Sequence, residues 1–372
     1  MKSFRWAILG TGFAARKFVL GLRAAENASA VVVASRTLAN AQSFAAGLGI
    51  DTALDDYQQV PGREDVDAVY VATPPSLHRD HALMGLSAGK PVLVEKPFAM
   101  NAAEAREIAA AAKANAVYCM EGMWTRFLPM VGRVKQMIDT GAIGDVRMMT
   151  GSFAIADAVR QDNNLFNADL GGGALLHRGI YPLSLAVHLL GVPDRVSSEA
   201  IIGETGVDEE TAVLLRYDGG ALVELHASTR TDAANDFWIL GTQGRIHLHA
   251  PIYRPFRMTV TPVRARAKGD GGGSRLEGLK EGGLVQGAYQ RLGFLASPFL
   301  NRKSKTLTLP YGGNGYHYEA DTVRRAVEAG QLESDIMSLS ESIRIMELMD
   351  TIRAQWRSQG DNNSAERRRG TG

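Results

Sequence analysis

Cysteine is almost absent from this chain: Cys119 is the single one among 372 residues. No intrachain disulfide can form, and the usage suits a reducing compartment. Long apolar runs are missing too, and none approaches the ~20 residues needed to cross a bilayer. The opening Met1-Lys2-Ser3 runs at once into a strand-like segment and carries no sign of a signal peptide. Net charge is also lacking. With 41 Lys+Arg against 40 Asp+Glu the formal charge is +1, so no broad attraction to nucleic acid or to a membrane is expected. What remains is an ordinary composition, 45% hydrophobic and 22% charged, over a length that suits two domains of a cytoplasmic protein.

The first motif lies near the start. Phe4-Arg5-Trp6-Ala7-Ile8-Leu9 reads as a strand, and Gly10-Thr11-Gly12-Phe13-Ala14-Ala15 follows it in the G-x-G-x-x-A pattern of a dinucleotide-binding turn. Gly10 permits the tight turn, and Gly12 lets backbone approach a pyrophosphate. Ala15 lets the next helix pack closely, and that helix offers free N–H groups to the phosphates. A second strand, Ala30 to Ala34, ends in Ser35-Arg36-Thr37, and the next acid is Asp51. A carboxylate about 20 residues past the fingerprint would hold the ribose 2′-hydroxyl of NAD, whereas hydroxyls and an arginine suit a 2′-phosphate. NADP is therefore expected, with NAD as the alternative.

Strands and helices go on alternating. Leu38 to Gly47 reads as a helix and Asp65 to Ala72 leads into a strand, with Thr73-Pro74-Pro75-Ser76-Leu77-His78 at its carboxyl end. A helix from His81 to Ala88 precedes the buried strand of Val92-Leu93-Val94-Glu95-Lys96-Pro97. Asn101 caps a helix over Ala102 to Ala114, and Val117 to Glu121 is one more strand. This pattern predicts a doubly wound parallel sheet over residues 1–122, with ligands beyond the carboxyl ends of its strands. Glu95 and Lys96 sit at such an end. His78 and His81 invite a metal reading, but no ligand cluster completes a set, so none is expected.

After helix Pro129 to Thr140 the pattern becomes strand-rich: Val146 to Ile155, Val196 to Ile202, Thr211 to Tyr217, Leu222 to Ser228, Phe237 to Leu240, Arg245 to His249, Arg257 to Val263 and Thr306 to Leu309. Such runs predict a mostly antiparallel, one-sided open sheet in an α+β domain over residues 123–357. Its bare face calls for a second copy as cover. Ala267 to Lys305 is Gly-rich and basic, an irregular insertion. Tyr316 to Ala329 and Ser338 to Arg357 are closing helices, and residues 358–372 read as a disordered tail.

The fingerprint, Thr73-Pro74, Glu95-Lys96-Pro97 and Gly171-Gly172-Gly173-Ala174-Leu175-Leu176 occur in that order. Together they resemble the glucose–fructose oxidoreductase, inositol dehydrogenase and rhizopine-catabolism family. Met123 to Pro129, Glu204 to Asp208 and Gly313 to Asp321 point to the branch of dimeric dihydrodiol dehydrogenases and NADP-dependent D-xylose dehydrogenases. The resemblance implies a Rossmann domain followed by an α+β domain whose open sheet forms the contact of a dimer, or of a tetramer. It implies hydride transfer between nicotinamide and a secondary alcohol or hemiacetal carbon of a sugar or cyclic trans-diol. Lys96 matches the family's active-site lysine, expected before a cis bond to Pro97, and Tyr181 of Gly179-Ile180-Tyr181-Pro182 matches its acid/base. A phenol works near neutral pH only beside a cation, which Lys96 would supply. Trp124 and Arg126 fall where the family closes over cofactor, and Thr73, Pro74, Leu77 and His78 would line the nicotinamide pocket. Where many members carry an aspartate, this chain has His177, which could bind a substrate hydroxyl or relay a proton. A sensor that keeps the nucleotide site without turnover, and a glycosidase with transient nicotinamide redox, are the alternatives within the same resemblance.

Overall fold

The computed structural model describes residues 3–263 and 304–369. Six parallel strands form the first sheet: β1 (Phe4–Leu9), β2 (Ala28–Ala34), β3 (Thr52–Leu54), β4 (Ala68–Val71), β5 (Val92–Glu95) and β6 (Cys119–Gly122). Their order is β3-β2-β1-β4-β5-β6. The strand order reverses between β1 and β4, so the crevice of a doubly wound fold opens there. Helices α1 (Phe13–Leu22), α2 (Leu38–Leu48), α3 (His78–Ser87) and α4 (Ala102–Asn115) connect the strands. Val92, Leu93 and Val94 are wholly buried. Each contributes about 1.5–3 kcal/mol by leaving water, which explains an uninterrupted apolar run in a strand covered on both faces. Helix α3 starts at His78, three residues before the sequence suggests, because a short 3₁₀ turn at Pro75–Leu77 leads directly into it.

Eight strands form the second sheet: β7 (Val146–Ala154), β8 (Arg195–Ile202), β9 (Asp208–Arg216), β10 (Leu222–Ser228), β11 (Phe237–Gly241), β12 (Gly244–Leu248), β13 (Arg257–Pro262) and β14 (Lys305–Thr308). The order is β14-β13-β12-β11-β7-β10-β9-β8, antiparallel throughout except for the β7–β10 pair. Inward residues Val213, Leu215, Val223, Leu225 and Met149 are buried, while Leu214, Leu222 and Met148 on the alternate positions are exposed. Period-two alternation thus leaves one face open, as the sequence pattern requires. The inner face carries α6 (Ile180–Leu190), and α5 (Pro129–Asp139) lies beside α6.

The closing helices bind the two sheets together. Helix α7 (His317–Glu328) packs on α1, and α8 (Leu339–Arg369) packs on α4, β6 and β8. The carboxylate of Asp350 on α8 accepts from the Ala102 N–H at 2.8 Å, satisfying an orphan donor at the start of α4. Where the sequence suggests a disordered tail from Ser358, the backbone of α8 runs on as helix through Arg369. Propagating an existing helix fixes one residue per hydrogen bond and avoids the cost of a new nucleus. The Gly-rich insertion lies outside the described residues up to position 303.

Candidate active site

A cavity of about 890 Å³ runs from the glycine turn to the inner face of the second sheet. Gly10 adopts φ +104°, and a Cβ there would stand 2.6 Å from the Ala72 carbonyl oxygen, so only glycine lets β1 turn this close to β4. Nothing lies within 4 Å of a Cβ on Gly12, whose backbone opens α1 without a side-chain cap. The first turn of α1 holds no acidic residue. Its N–H groups therefore face the cavity unsatisfied, a cradle that fits a pyrophosphate. Ser35 and the exposed Arg36 line the same end, with no carboxylate among their lining neighbours at the tip of β2. The residues present fit a dinucleotide bearing a 2′-phosphate.

At the far end of β5 the Lys96–Pro97 bond is cis, as the family resemblance implies, and a second cis bond joins Ala250 to Pro251. The Lys96 ammonium donates to the His177 carbonyl at 3.1 Å and lies 5.1 Å from the centre of the Tyr181 ring. Burial lowers its pKa, while the Glu95 carboxylate acts in the opposite sense. The Tyr181 hydroxyl accepts from Trp124 Nε1 at 3.3 Å. Burial first, and the Glu95 carboxyl second, raise the pKa of this phenol. Lys96 sits over the ring face rather than at the hydroxyl, so in this arrangement it does not bring the phenol toward neutrality.

His177 occupies an element that sequence periodicity does not reveal. Leu175–Gly179 forms one π-helical turn leading into α6, a widening seen often at functional sites. His177 Nε2 lies 3.1 Å from the Gly171 carbonyl, so that nitrogen carries the proton and Nδ1 keeps its lone pair. Burial and the nearby Lys96 cation push its pKa down to about 3, leaving a neutral hydrogen-bond acceptor. The adjacent Arg178 also lines the cavity and donates to the Ile155 and Ser228 carbonyls and to Asp157.

Thr73, Pro74, His78, Glu95, Lys96, Trp124, His177 and Tyr181 all line the cavity, together with Gly10, Thr11, Gly12, Phe13, Ala14, Ser35 and Arg36. Five residues expected at the cofactor do not. Arg126 is the clearest correction: its guanidinium bonds the Ser184 side chain and carbonyl and pairs with Glu341 at 2.8 Å. Two residues apart on a 3₁₀ turn point to different sides, so Trp124 enters the cleft and Arg126 the protein interior. Thr37 uses its hydroxyl to cap α2, accepting from Asn40 N at 3.4 Å. Leu77 closes the 3₁₀ turn before α3, Ala15 is fully buried in the first turn of α1, and the Pro97 carbonyl lies 2.8 Å from His78 Nδ1. Both ring nitrogens of His78 face carbonyl oxygens, yet burial prevails and pushes its pKa down to about 4.

Tertiary structure adds residues that sequence reasoning did not single out. Phe153 and Tyr253 stack at 5.1 Å, and Tyr316 stacks on Trp124 at 4.5 Å, giving the Lys96 end aromatic walls. Phe153 and Tyr253 come from a strand and a loop of the second sheet with no local signature. Tyr316 belongs to the Gly313–Asp321 stretch already noted, and Asn314 beside it ties to α1 by donating to the Lys17 carbonyl at 2.7 Å.

Residues 4–123 match the model of an oxidoreductase family with an NAD-binding Rossmann fold, and residues 131–247 match that of a GFO/IDH/MocA C-terminal domain. A trans-1,2-dihydrobenzene-1,2-diol dehydrogenase of Danio rerio is 31% identical over 360 residues, covering 95% of this chain and 97% of its own length. The NADP(+)-dependent scyllo-inositol 2-dehydrogenase of Bacillus subtilis is 36% identical over 262 residues, 69% of this chain and 79% of its own. Among solved structures, an aldose–aldose oxidoreductase from Caulobacter crescentus shares the fold with TM-score 0.77 at 20% identity, over 96% of this chain and 98% of its own. A 3-ketoreductase from Actinomadura kijaniata, solved with NADP, gives 0.76 at 24% identity, over 95% and 98%. This chain belongs to the GFO/IDH/MocA family of oxidoreductases.

Proposed function

We propose that this protein is an NADP-dependent oxidoreductase that moves a hydride between nicotinamide and a secondary alcohol or hemiacetal carbon of a sugar or trans-dihydrodiol. The observation that carries the reading is the single cavity joining the glycine turn and Arg36 to Lys96, Tyr181 and His177. Residues 1–122 would hold the cofactor and 123–357 the substrate, with a second copy covering the open face of the second sheet in a cytoplasmic homodimer.

The bound cofactor would supply or accept the hydride; the chain manages the proton. Aromatic walls at Phe153, Tyr253 and Trp124 would seat the apolar faces of a ring and exclude water. Tyr181, held by Trp124 and kept protonated by burial, would face the reacting oxygen as acid/base: it would give its proton in the reduction direction, and would act as base only with the Lys96 ammonium moved from its ring face to its hydroxyl. The Lys96 ammonium, whose short reach includes the Tyr181 ring and the His177 carbonyl, would polarise that oxygen and stabilise its anion. His177, neutral with a free Nδ1, would accept a bond from a neighbouring hydroxyl, taking the place of a carboxylate without adding charge. The test is nicotinamide absorbance with purified protein, NADP or NAD, and a panel of aldoses, inositols and trans-dihydrodiols. Turnover of a member with NADP preferred is expected, and cofactor binding without turnover across the panel would instead favour a sensor.

A further inference from the structure

Behind Lys96 lies a group to which none of the steps above gives a role. Glu319, in the first turn of α7, is wholly buried. Neither of its carboxyl oxygens has a hydrogen-bond partner among the described residues. Glu95 is its neighbour across Gly122. A Cβ on Gly122 would lie 3.5 Å from the Glu95 Cα and 3.6 Å from Glu319 Oε2. Glu95 differs from Glu319 in being provided for: it accepts from the Tyr70 hydroxyl and from the Lys96 N–H at 3.1 Å, and it lines the cavity.

An ionised carboxylate without donors in a buried site is among the most costly arrangements a fold can hold, and such a group keeps its proton instead. A second carboxylate close by makes the double ionisation worse still. We propose that Glu319 is a proton-bearing, neutral acid, so that the Glu95–Glu319 pair holds one proton and presents one negative charge, on Glu95, as counter-ion to Lys96. Glu319 is then a positioning residue: it touches no substrate and acts through the charge that Lys96 faces. Burial raises the pKa of both carboxyls, but for Glu319 the Glu95 charge adds to it and the shift is large, whereas for Glu95 burial is opposed by Lys96 and Tyr70, which places the proton on Glu319. The other titratable groups facing the pair are the phenols of Tyr70, Tyr181 and Tyr316, each raised by burial and by these carboxyls. Glu121 and Arg178 also act on Lys96, in opposite senses; within the pair itself one negative charge faces the ammonium, and the proton on Glu319 keeps a second from trapping Lys96 in its charged form.

The inference takes from the preceding section the assignment of Lys96 to the reacting oxygen, so its test uses no substrate. Infrared spectra of the full chain at pH about 9, above the ordinary glutamate range and well above the Glu121 carboxyl at about 7, should show the C=O stretch of a neutral carboxylic acid, and Glu319→Gln should remove it. Competitive acetylation of Lys96, followed against pH by mass spectrometry of its peptide, reads the charge of the pair. Glu319→Gln exchanges one neutral group for another and should leave the Lys96 midpoint in place. Glu95→Gln removes the counter-ion and should make Lys96 roughly tenfold more reactive at a fixed pH below its midpoint, the equivalent of one pKa unit. No acid band in the wild-type protein, or a band that persists in Glu319→Gln, overturns the proposal. So does a fall in the Lys96 midpoint in Glu319→Gln as large as that in Glu95→Gln. The wild-type spectrum decides the protonation even where a variant folds poorly. Failure to find turnover would count against the dehydrogenase reading and leave these results standing.

Discussion

Replacing Arg36 with Ala tests the cofactor assignment at the point where sequence and geometry meet. The side chain is exposed at the cavity rim, so its loss should change folding stability by no more than ~0.5 kcal/mol. A charge-assisted bond from guanidinium to a 2′-phosphate contributes about 1.5–3 kcal/mol. At a factor of ten per ~1.4 kcal/mol, the Kd for NADP should rise roughly 10- to 150-fold. The Kd for NAD, which has no phosphate to lose, should stay within about twofold of wild type on the same affinity scale. Exposure also makes the contact salt-sensitive: the gap between wild type and variant should narrow as the screening length falls from ~10 Å at 0.1 M salt to ~3 Å at 1 M. Arg36→Asp, which places a carboxylate where NAD-binding sheets carry one, should lose more NADP affinity and keep NAD binding. The assay is titration of NADPH and NADH fluorescence at two ionic strengths, with a thermal melt as control. Equal losses for both nucleotides, or an unchanged Kd for NADP, would refute the phosphate contact.

Other expectations follow from the same geometry. Tyr181→Phe keeps the ring against Phe153 and removes only the hydroxyl, so kcat should fall by about 10² to 10⁴ with cofactor affinity unchanged, read by steady-state kinetics and NADPH titration. Gly10→Ala combines a left-handed φ with a 2.6 Å overlap on the Ala72 carbonyl and should destabilise the fold by about 2–5 kcal/mol in a denaturant titration. Gly12→Ala, with open space at its Cβ, should melt like wild type yet bind NADP more weakly. Burial raises the Glu121 pKa to about 7, so the folded chain holds this proton more tightly than the unfolded one. Stability tied to it is fully present below the unfolded value of ~4.3 and is lost as pH rises to about 7. Glu121→Gln should therefore gain Tm relative to wild type across that window, by an amount worth ~3 kcal/mol at the top, and a flat difference between pH ~4 and ~8 would contradict this.

Much of the architecture was readable one segment at a time. The apolar run Val92 to Val94 had to be covered on both faces, and the alternation along β9 and β10 had to leave one face bare. The glycine turn announced its own backbone, because only a residue without Cβ tolerates the approach of Gly10 to β4. The ends of elements were less legible: the 3₁₀ turn before α3 and the π turn before α6 depend on what packs against them, and neither has a periodicity of its own. Arg126 shows the same limit for a side chain. Its position in a suggestive stretch was visible, but which way a turn residue points is set by partners such as Ser184 and Glu341, far off in the chain.

The sequence by itself determined the nucleotide-binding half of this protein, since strand, glycine turn, helix and the Ser35-Arg36 tip are local and their chemistry follows from residue type and spacing. Tertiary structure alone decided the state of the chemistry. Lys96, Tyr181, His177 and Glu319 come from the residue after β5, the start of α6, the π turn and α7, and no spacing records their distances. Whether Tyr181 is a shifted phenol, His177 a neutral acceptor or Glu319 a neutral acid is settled by what surrounds each group. Burial and neighbouring charge, not identity, fix where a proton resides.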